Sequence, residues 1–253
     1  MQGMSKEAVL AYTPVICGRP KLRRMTVMPV APVPLAVLVP FACNITALDD
    51  FLESIKAELM KLPGPKRISI SWSSCKQNIS ADTTSKAVMK QRLEAWKANY
   101  STHHISLKIV PNKFKFSRGR NLEAALTSAT NLPDEVAVVL DIDMRVTWQY
   151  FLHCRALSQA GASAYFPITF SHYNPELVKE YGTFFNRTSM LKRLQQNVIS
   201  QDIGLWRKFG FGMQAIATTN IAAWGWYDVS NNQWGMDDLT LFQKYSNSGK
   251  VFL

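Results

Sequence analysis

The sequence has no CxxC pair, and its four cysteines, Cys17, Cys43, Cys75 and Cys154, have no spacing that suits a zinc site. It has no basic run interleaved with aromatics, which sets aside the common nucleic-acid modules. It has no long apolar run: Met28 to Cys43 falls short of the roughly 20 residues a membrane span needs and carries four prolines. No signal peptide is legible, because Met1 to Arg24 is mixed and contains Lys and Arg. No internal repeat and no linker appear in its 253 residues, so one large α/β-sized domain is expected. Acids are scarce, with Asp+Glu 18 against Lys+Arg 29 and a net charge of +11. That excess suits polyanions such as nucleic acid, anionic lipid, an acidic polysaccharide or nucleotide diphosphates. It equally suits a merely solvated basic surface.

The most informative acids come in pairs. The apolar run Val136 to Leu140 leads directly into Asp141-Ile142-Asp143. A run without polar alternation reads as a strand buried on both faces of a parallel-type sheet. Carboxylates at the C-terminal end of such a strand lie where open α/β sheets bind ligands. Two of them can hold a hard divalent cation, and the cation a diphosphate. A second pair, Asp237 and Asp238, opens a helical pattern of Leu239, Leu241, Phe242 and Tyr245. Acids in a first turn suit the helix dipole without any further role. They also suit general-base work on an acceptor hydroxyl. The nearby tryptophans could stack on sugar rings or fill a core.

Elsewhere the pattern predicts β1 at Leu35–Ala42. A helix is then expected with Thr46 as its cap, Asp49 in its first turn, and Leu48, Phe51, Leu52, Ile55 and Leu59 inward. Strands are expected at 68–72 and 105–110, and helices near 86–99, 118–130 and 148–158. Residues 74–86 read as a surface loop and 174–204 resist assignment. Ala164–Phe170 reads as extended, with Pro167 marking an edge or an end. Phe209-Gly-Phe-Gly-Met213 reads as a close-packing loop or a tight turn. The alternation of strands and helices predicts an α/β fold with a mostly parallel central sheet flanked by helices. Four Asn-x-Ser/Thr sequons, at Asn44, Asn78, Asn99 and Asn186, favour the secretory pathway.

Five blocks occur in an order that resembles one family. They are Phe116-Ser-Arg-Gly-Arg-Asn-Leu, Leu140-Asp-Ile-Asp-Met, Tyr165 to Pro175, Trp206 to Met213, and Trp234-Gly-Met-Asp-Asp-Leu. The family is that of chondroitin N-acetylgalactosaminyltransferases, chondroitin synthases and polymerizing factors, and the resemblance covers residues 34–253. Residues 1–33 stand apart as an irregular N-terminal segment. The resemblance implies a GT-A glycosyltransferase fold and inverting transfer of N-acetylgalactosamine or glucuronic acid from a UDP-sugar, with manganese. The implied acceptor is an anionic glycosaminoglycan such as chondroitin, and the implied place is the Golgi lumen, anchored through a segment upstream. By position, Asp143 would ligate the metal, with Asp141 beside it toward the ribose or metal waters. Arg118 and Arg120 would lie near the nucleotide. Asp238 would be the base, Asp237 would contact the acceptor, and Trp234 and Gly235 would shape its pocket. Three departures stand out. Met236 and Asp237 replace glycine and glutamate, and Gly225-Trp-Tyr-Asp228 stands where glycine-glycine-phenylalanine-aspartate is usual. The family's C-terminal histidine ligand would fall beyond Leu253. The alternative is a non-catalytic partner in a hetero-oligomer with an active chondroitin synthase.

Overall fold

The computed structural model describes residues 32–42, 45–73, 94–100, 105–112, 116–128, 134–174, 199–200, 203–207, 211–229 and 236–252, with positions 87, 90–92 and 192. The strands are β1 (Leu35–Ala42), β2 (Lys66–Ser73), β3 (Ile105–Asn112), β4 (Val136–Val139), β5 (Ala164–Tyr165), β6 (Thr169–His172), β7 (Gly204–Arg207), β8 (Gln214–Ala217) and β9 (Val251–Phe252). The helices are α1 (Ile45–Leu59), α2 (Arg118–Thr127), α3 (Trp148–Leu157), α4 (Thr218–Trp224) and α5 (Met236–Asn247).

Seven strands form one sheet in the order β3-β2-β1-β4-β8-β5-β9. β1, β2, β3 and β4 are mutually parallel, and β8 runs antiparallel to both β4 and β5. The order reverses between β1 and β4. The chain steps outward from β1 to β3, then returns to the other side of β1. A crevice opens at the C-terminal ends of the strands at such a reversal. A separate antiparallel pair, β6-β7, sets Phe170 opposite Trp206 with their rings edge to face at 5.3 Å.

Strand periodicity divides the core. Leu35, Val37, Val39, Val136, Val138 and Leu140 pack with α1 and with Phe151 and Cys154 of α3. Ala36, Leu38, Ala137 and Val139 pack on the other side with Leu122 and Ala125 of α2 and with Leu241 and Tyr245 of α5. The alanines keep this second face shallow, so α2 can lie close to the sheet. Truncating Leu38, fully buried there, would cost about 2–5 kcal/mol. At the opposite, N-terminal edge, Arg67 donates Nε and Nη2 to Glu135 Oε1 and Oε2 at 2.8 and 2.7 Å. Both side chains are buried, so losing one partner alone would cost about 3–5 kcal/mol.

The inward residues of α1 match the expected set one for one. Its start does not. The helix begins at Ile45, so Thr46 lies within it rather than capping it, and no acid falls in its first turn. α2 ends at Thr127, three residues short of the expected end. Pro167 separates β5 from β6, which belong to different sheets, so it marks a strand end. β5 itself lies between β8 and β9 and is not an edge. The polar stretch 74–86 and most of 174–204 fall outside the described residues.

Candidate active site

The alternation in β4 decides where the first acid points. Ala137 and Val139 face α2 and α5, so Asp141 continues that face. Ile142 turns the other way and packs with the α1 and α3 side. α2 follows β3, so its N-terminus opens at the same edge of the sheet, with Arg118 as its first residue. Asp237 and Asp238 fall in the first turn of α5. Three elements distant in sequence thus converge above the β1/β4 reversal.

Arg118 is the hub. Its Nε donates to Asp141 Oδ1 at 3.3 Å. Its Nη1 donates to Asp238 Oδ1 and, at 3.1 Å, to the Tyr227 hydroxyl. Its Nη2 donates to the Gly212 carbonyl. The Tyr227 hydroxyl donates in turn to Asp238 Oδ1 at 3.0 Å and accepts from Gln214 Nε2. One guanidinium therefore joins one acid from each pair.

The rest of the α2 block holds that guanidinium in place. A Cβ on Gly119 would lie 3.3 Å from Tyr227 Cβ, so the glycine between the two arginines lets Tyr227 close on the helix. Asn121 is fully buried and donates Nδ2 to the Ser71 carbonyl at 3.2 Å, while Ser73 donates to its Oδ1 at 2.9 Å. These bonds fix α2 to the C-terminal end of β2. Arg120 turns from the hub and donates Nε to the Val229 carbonyl at 3.3 Å.

The electrostatics follow from this crowding. Burial raises the Asp238 carboxyl to about 6, against the lowering pull of Arg118 and with Asp237 adding to the rise. Burial also raises Asp141, again opposed by Arg118, and Asp143 pushes it further up. Burial alone would weaken the Arg118 charge, but Tyr227, Asp141 and Asp238 together hold it firmly protonated. Burial drives the Tyr227 hydroxyl well above its usual range, so it stays a donor.

Asp143 is exposed, and Asp237 is buried with its Oδ1 accepting from the Asp238 amide at 3.0 Å. Among the described residues no group of three or more His, Cys, Asp and Glu could hold a metal ion. Asp141, half-buried and paired with Arg118, and Asp143, exposed, remain as a two-carboxylate, all-oxygen donor set. That set fits a hard divalent cation completed by phosphate oxygens, the usual manner of such ions with nucleotides. Trp234 and Gly235 lie outside the described residues.

The sequence profile described as Chondroitin N-acetylgalactosaminyltransferase matches residues 32–252. The chain belongs to that family. Chondroitin sulfate N-acetylgalactosaminyltransferase 1 of Homo sapiens is 31% identical over 139 residues, covering 54% of this chain and 25% of the relative. Chondroitin sulfate synthase 3 of Mus musculus is 28% identical over 159 residues, covering 62% and 16%. The matched part is thus a quarter or less of the length of these two relatives. A solved mannosyltransferase from Pyrobaculum calidifontis, in complex with GDP-Man and Mn2+, aligns over 88% of this chain and 56% of its own. Its TM-score is 0.50 at 16% identity, a likeness of fold. The α/β architecture with its mostly parallel mixed sheet is that of the GT-A glycosyltransferases.

Three site residues were not singled out as such by sequence reasoning. Gln214 stands as the polar residue of the otherwise apolar β8, and Asn121 sits on the buried face of α2. Each is an inward polar residue, the signal that most often marks a site or a tie. Tyr227 carried a different signal: it stands where the resembled pattern has phenylalanine, so its hydroxyl is one of the departures of this chain.

Proposed function

We propose that this chain is an inverting glycosyltransferase that moves N-acetylgalactosamine, or glucuronic acid, from a UDP-sugar to a glycosaminoglycan-type acceptor such as chondroitin. The observation that carries the reading is the convergence of Asp141 and Asp238 on Arg118 at the β1/β4 reversal. One acid pair then serves the donor and the other the acceptor, side by side. Family membership supports the choice of sugar and acceptor.

In this reading Asp143 ligates manganese, and Asp141 lies toward the ribose or the metal's waters. The bound cation offsets charge on the departing diphosphate. Arg118 adds a fixed positive charge suited to phosphate oxygens, and Arg120 lies near the nucleotide. Asp238 takes the proton of the attacking hydroxyl, and a carboxyl held near 6 is well placed to do so at neutral pH. Asp237 positions the acceptor, with Trp234 and Gly235 shaping its pocket. The +11 charge suits an anionic acceptor, and the sequons suit the Golgi lumen.

The test is UDP release from a panel of UDP-sugars, with chondroitin oligosaccharides as acceptors and manganese present or chelated. Release confined to one donor, dependent on acceptor and manganese, is the expected result. One observation favours a second reading. Met236 is exposed at the first turn of α5, next in sequence to the acids, and is bulkier than the glycine of the resembled pattern. A non-catalytic partner of an active synthase would bind UDP and release none, yet would raise polymer yield when co-expressed with that synthase.

A further inference from the structure

The Tyr227 hydroxyl has an unusual set of neighbours. The residue is buried, at 6% exposure, between α2, β8 and α5. Gln214 Nε2 and Arg118 Nη1 both donate to its oxygen. A phenolic hydroxyl has two acceptor sites and one proton. With both acceptor sites taken, the proton has one place to go, Asp238 Oδ1, at 3.0 Å. That same Oδ1 also accepts from Arg118. The two donors thus hold one oxygen of the carboxylate and leave Oδ2 as the oxygen toward Gly212 and the gap between the acid pairs.

We infer that Tyr227 is a positioning residue that, with Gln214 behind it, fixes the rotamer of Asp238 so that Oδ2 faces the acceptor hydroxyl. The inference rests on the reading of Asp238 as the base. Arg118 alone is a poor guide for this carboxylate, because the same guanidinium also serves Asp141 and the Gly212 carbonyl. A diphosphate in the site would compete for it. Tyr227 makes no bond to Asp141 or to the Gly212 carbonyl, so its bond to Asp238 is not shared with the donor side, and Gln214 still occupies one of its acceptor sites if Arg118 moves. A carboxylate free to rotate would spend less time aligned for proton transfer, and the loss would fall on turnover rather than on binding.

The test is steady-state kinetics on the intact chain and its Tyr227→Phe, Gln214→Leu, Asp238→Asn and Tyr227→Phe/Asp238→Asn variants. Donor affinity is measured in parallel by calorimetry. Phenylalanine keeps the ring against Gly119 and removes only the hydroxyl. Losing one hydrogen bond to a charged group should lower kcat by about 10- to 100-fold, with acceptor KM and donor Kd nearly unchanged. Gln214→Leu should give a smaller loss of the same kind. In the Asp238→Asn background, Tyr227→Phe should cost nothing further. An unchanged kcat in Tyr227→Phe, or an equal loss in both backgrounds, overturns the inference while leaving the transferase reading in place. A loss that appears in donor Kd overturns it as well, and makes Tyr227 a support for Arg118. No turnover by the unaltered chain with any donor overturns the transferase reading, and this inference with it.

Discussion

Asp141 and Asp143 stand two apart at the end of a strand, whereas Asp237 and Asp238 stand side by side at the start of a helix. The strand pair inherits its direction from pleat alternation, and it stays open, with Asp143 exposed. The helix pair diverges because neighbours on a helix point about 100° apart. Asp237 is buried, near enough to Asp141 and Asp238 for its charge to raise both, and Asp238 goes to Arg118. An open pair can share a solvated cation. A pair with one buried member and one member pinned by a tyrosine and an arginine suits proton transfer. The same residue type thus sits in two different backbone settings, and among the described residues Arg118 reaches one acid of each pair.

The sharpest way to break this division is Asp238→Asn. A lost base costs typically ~10²–10⁴-fold in rate, so kcat should fall by that much while UDP-sugar affinity in calorimetry stays nearly intact. Full turnover would return Asp238 to a dipole-satisfying role. The pH profile is the next test. Asp238 must be ionised to act and is held near 6, so kcat/KM should rise with pH to about 6 and level above it. One unit lower, it should be down about tenfold. The same group sets a stability trend of fixed sign. Its folded value of about 6 exceeds its ordinary 3.8, so the native state binds more protons between them. Its contribution to stability therefore falls as pH rises through that window, and Asp238→Asn should flatten this part of a urea-denaturation series.

Asp143→Asn should remove the manganese-dependent part of UDP affinity, and Asp141→Asn should remove less. Calorimetry with and without manganese reads both, and equal UDP affinity in the two conditions for the unaltered chain would dissolve the cation role. Asp237→Asn should act through the acceptor, raising KM by about fivefold, the worth of one ordinary hydrogen bond, with kcat little changed. The smallest expected effect is at Gly212→Ala. Its methyl would lie 3.4 Å from Arg118 Nη2, 3.5 Å from Asp141 Oδ2 and 3.6 Å from Asp238 Oδ2, close to ordinary contact. The variant should fold with an unshifted Tm yet bind UDP-sugar a few-fold (~3) less well, because the methyl narrows the gap between the pairs.

Legibility in the sequence tracked the regularity of local pattern. β1 and β4 were readable from unbroken apolar runs, the one in β4 extending through Leu140 to an acid pair, β2 from its alternation of Ile and Ser, and the inward face of α1 from its 3.6-residue periodicity. β5, β8 and β9 are two to four residues long, too short to carry a period, and β8 owes its strand state to pairing on both sides. The short helix α4 lacks a terminal signal as well, with alanine at its N-cap position. The end of α1 was easier to read than its start, because Pro63 and Gly64 follow it closely while its first turn holds no acid.

The residues by themselves determined that an acid pair would close a buried strand and that another would open a helix. Those are consequences of alternation and of helix periodicity, both local. They also carried five ordered blocks of family likeness, which no folding was needed to see. Only the tertiary structure decided that Asp141 and Asp238 share Arg118, that Gly119 leaves room for Tyr227, and that the tyrosine's proton points at Asp238. These residues lie as far as 120 positions apart, and no local preference can encode a meeting at that range. It is set by the reversal of strand order at β1 and β4, which brings the start of α2, the end of β4 and the start of α5 to one edge of the sheet.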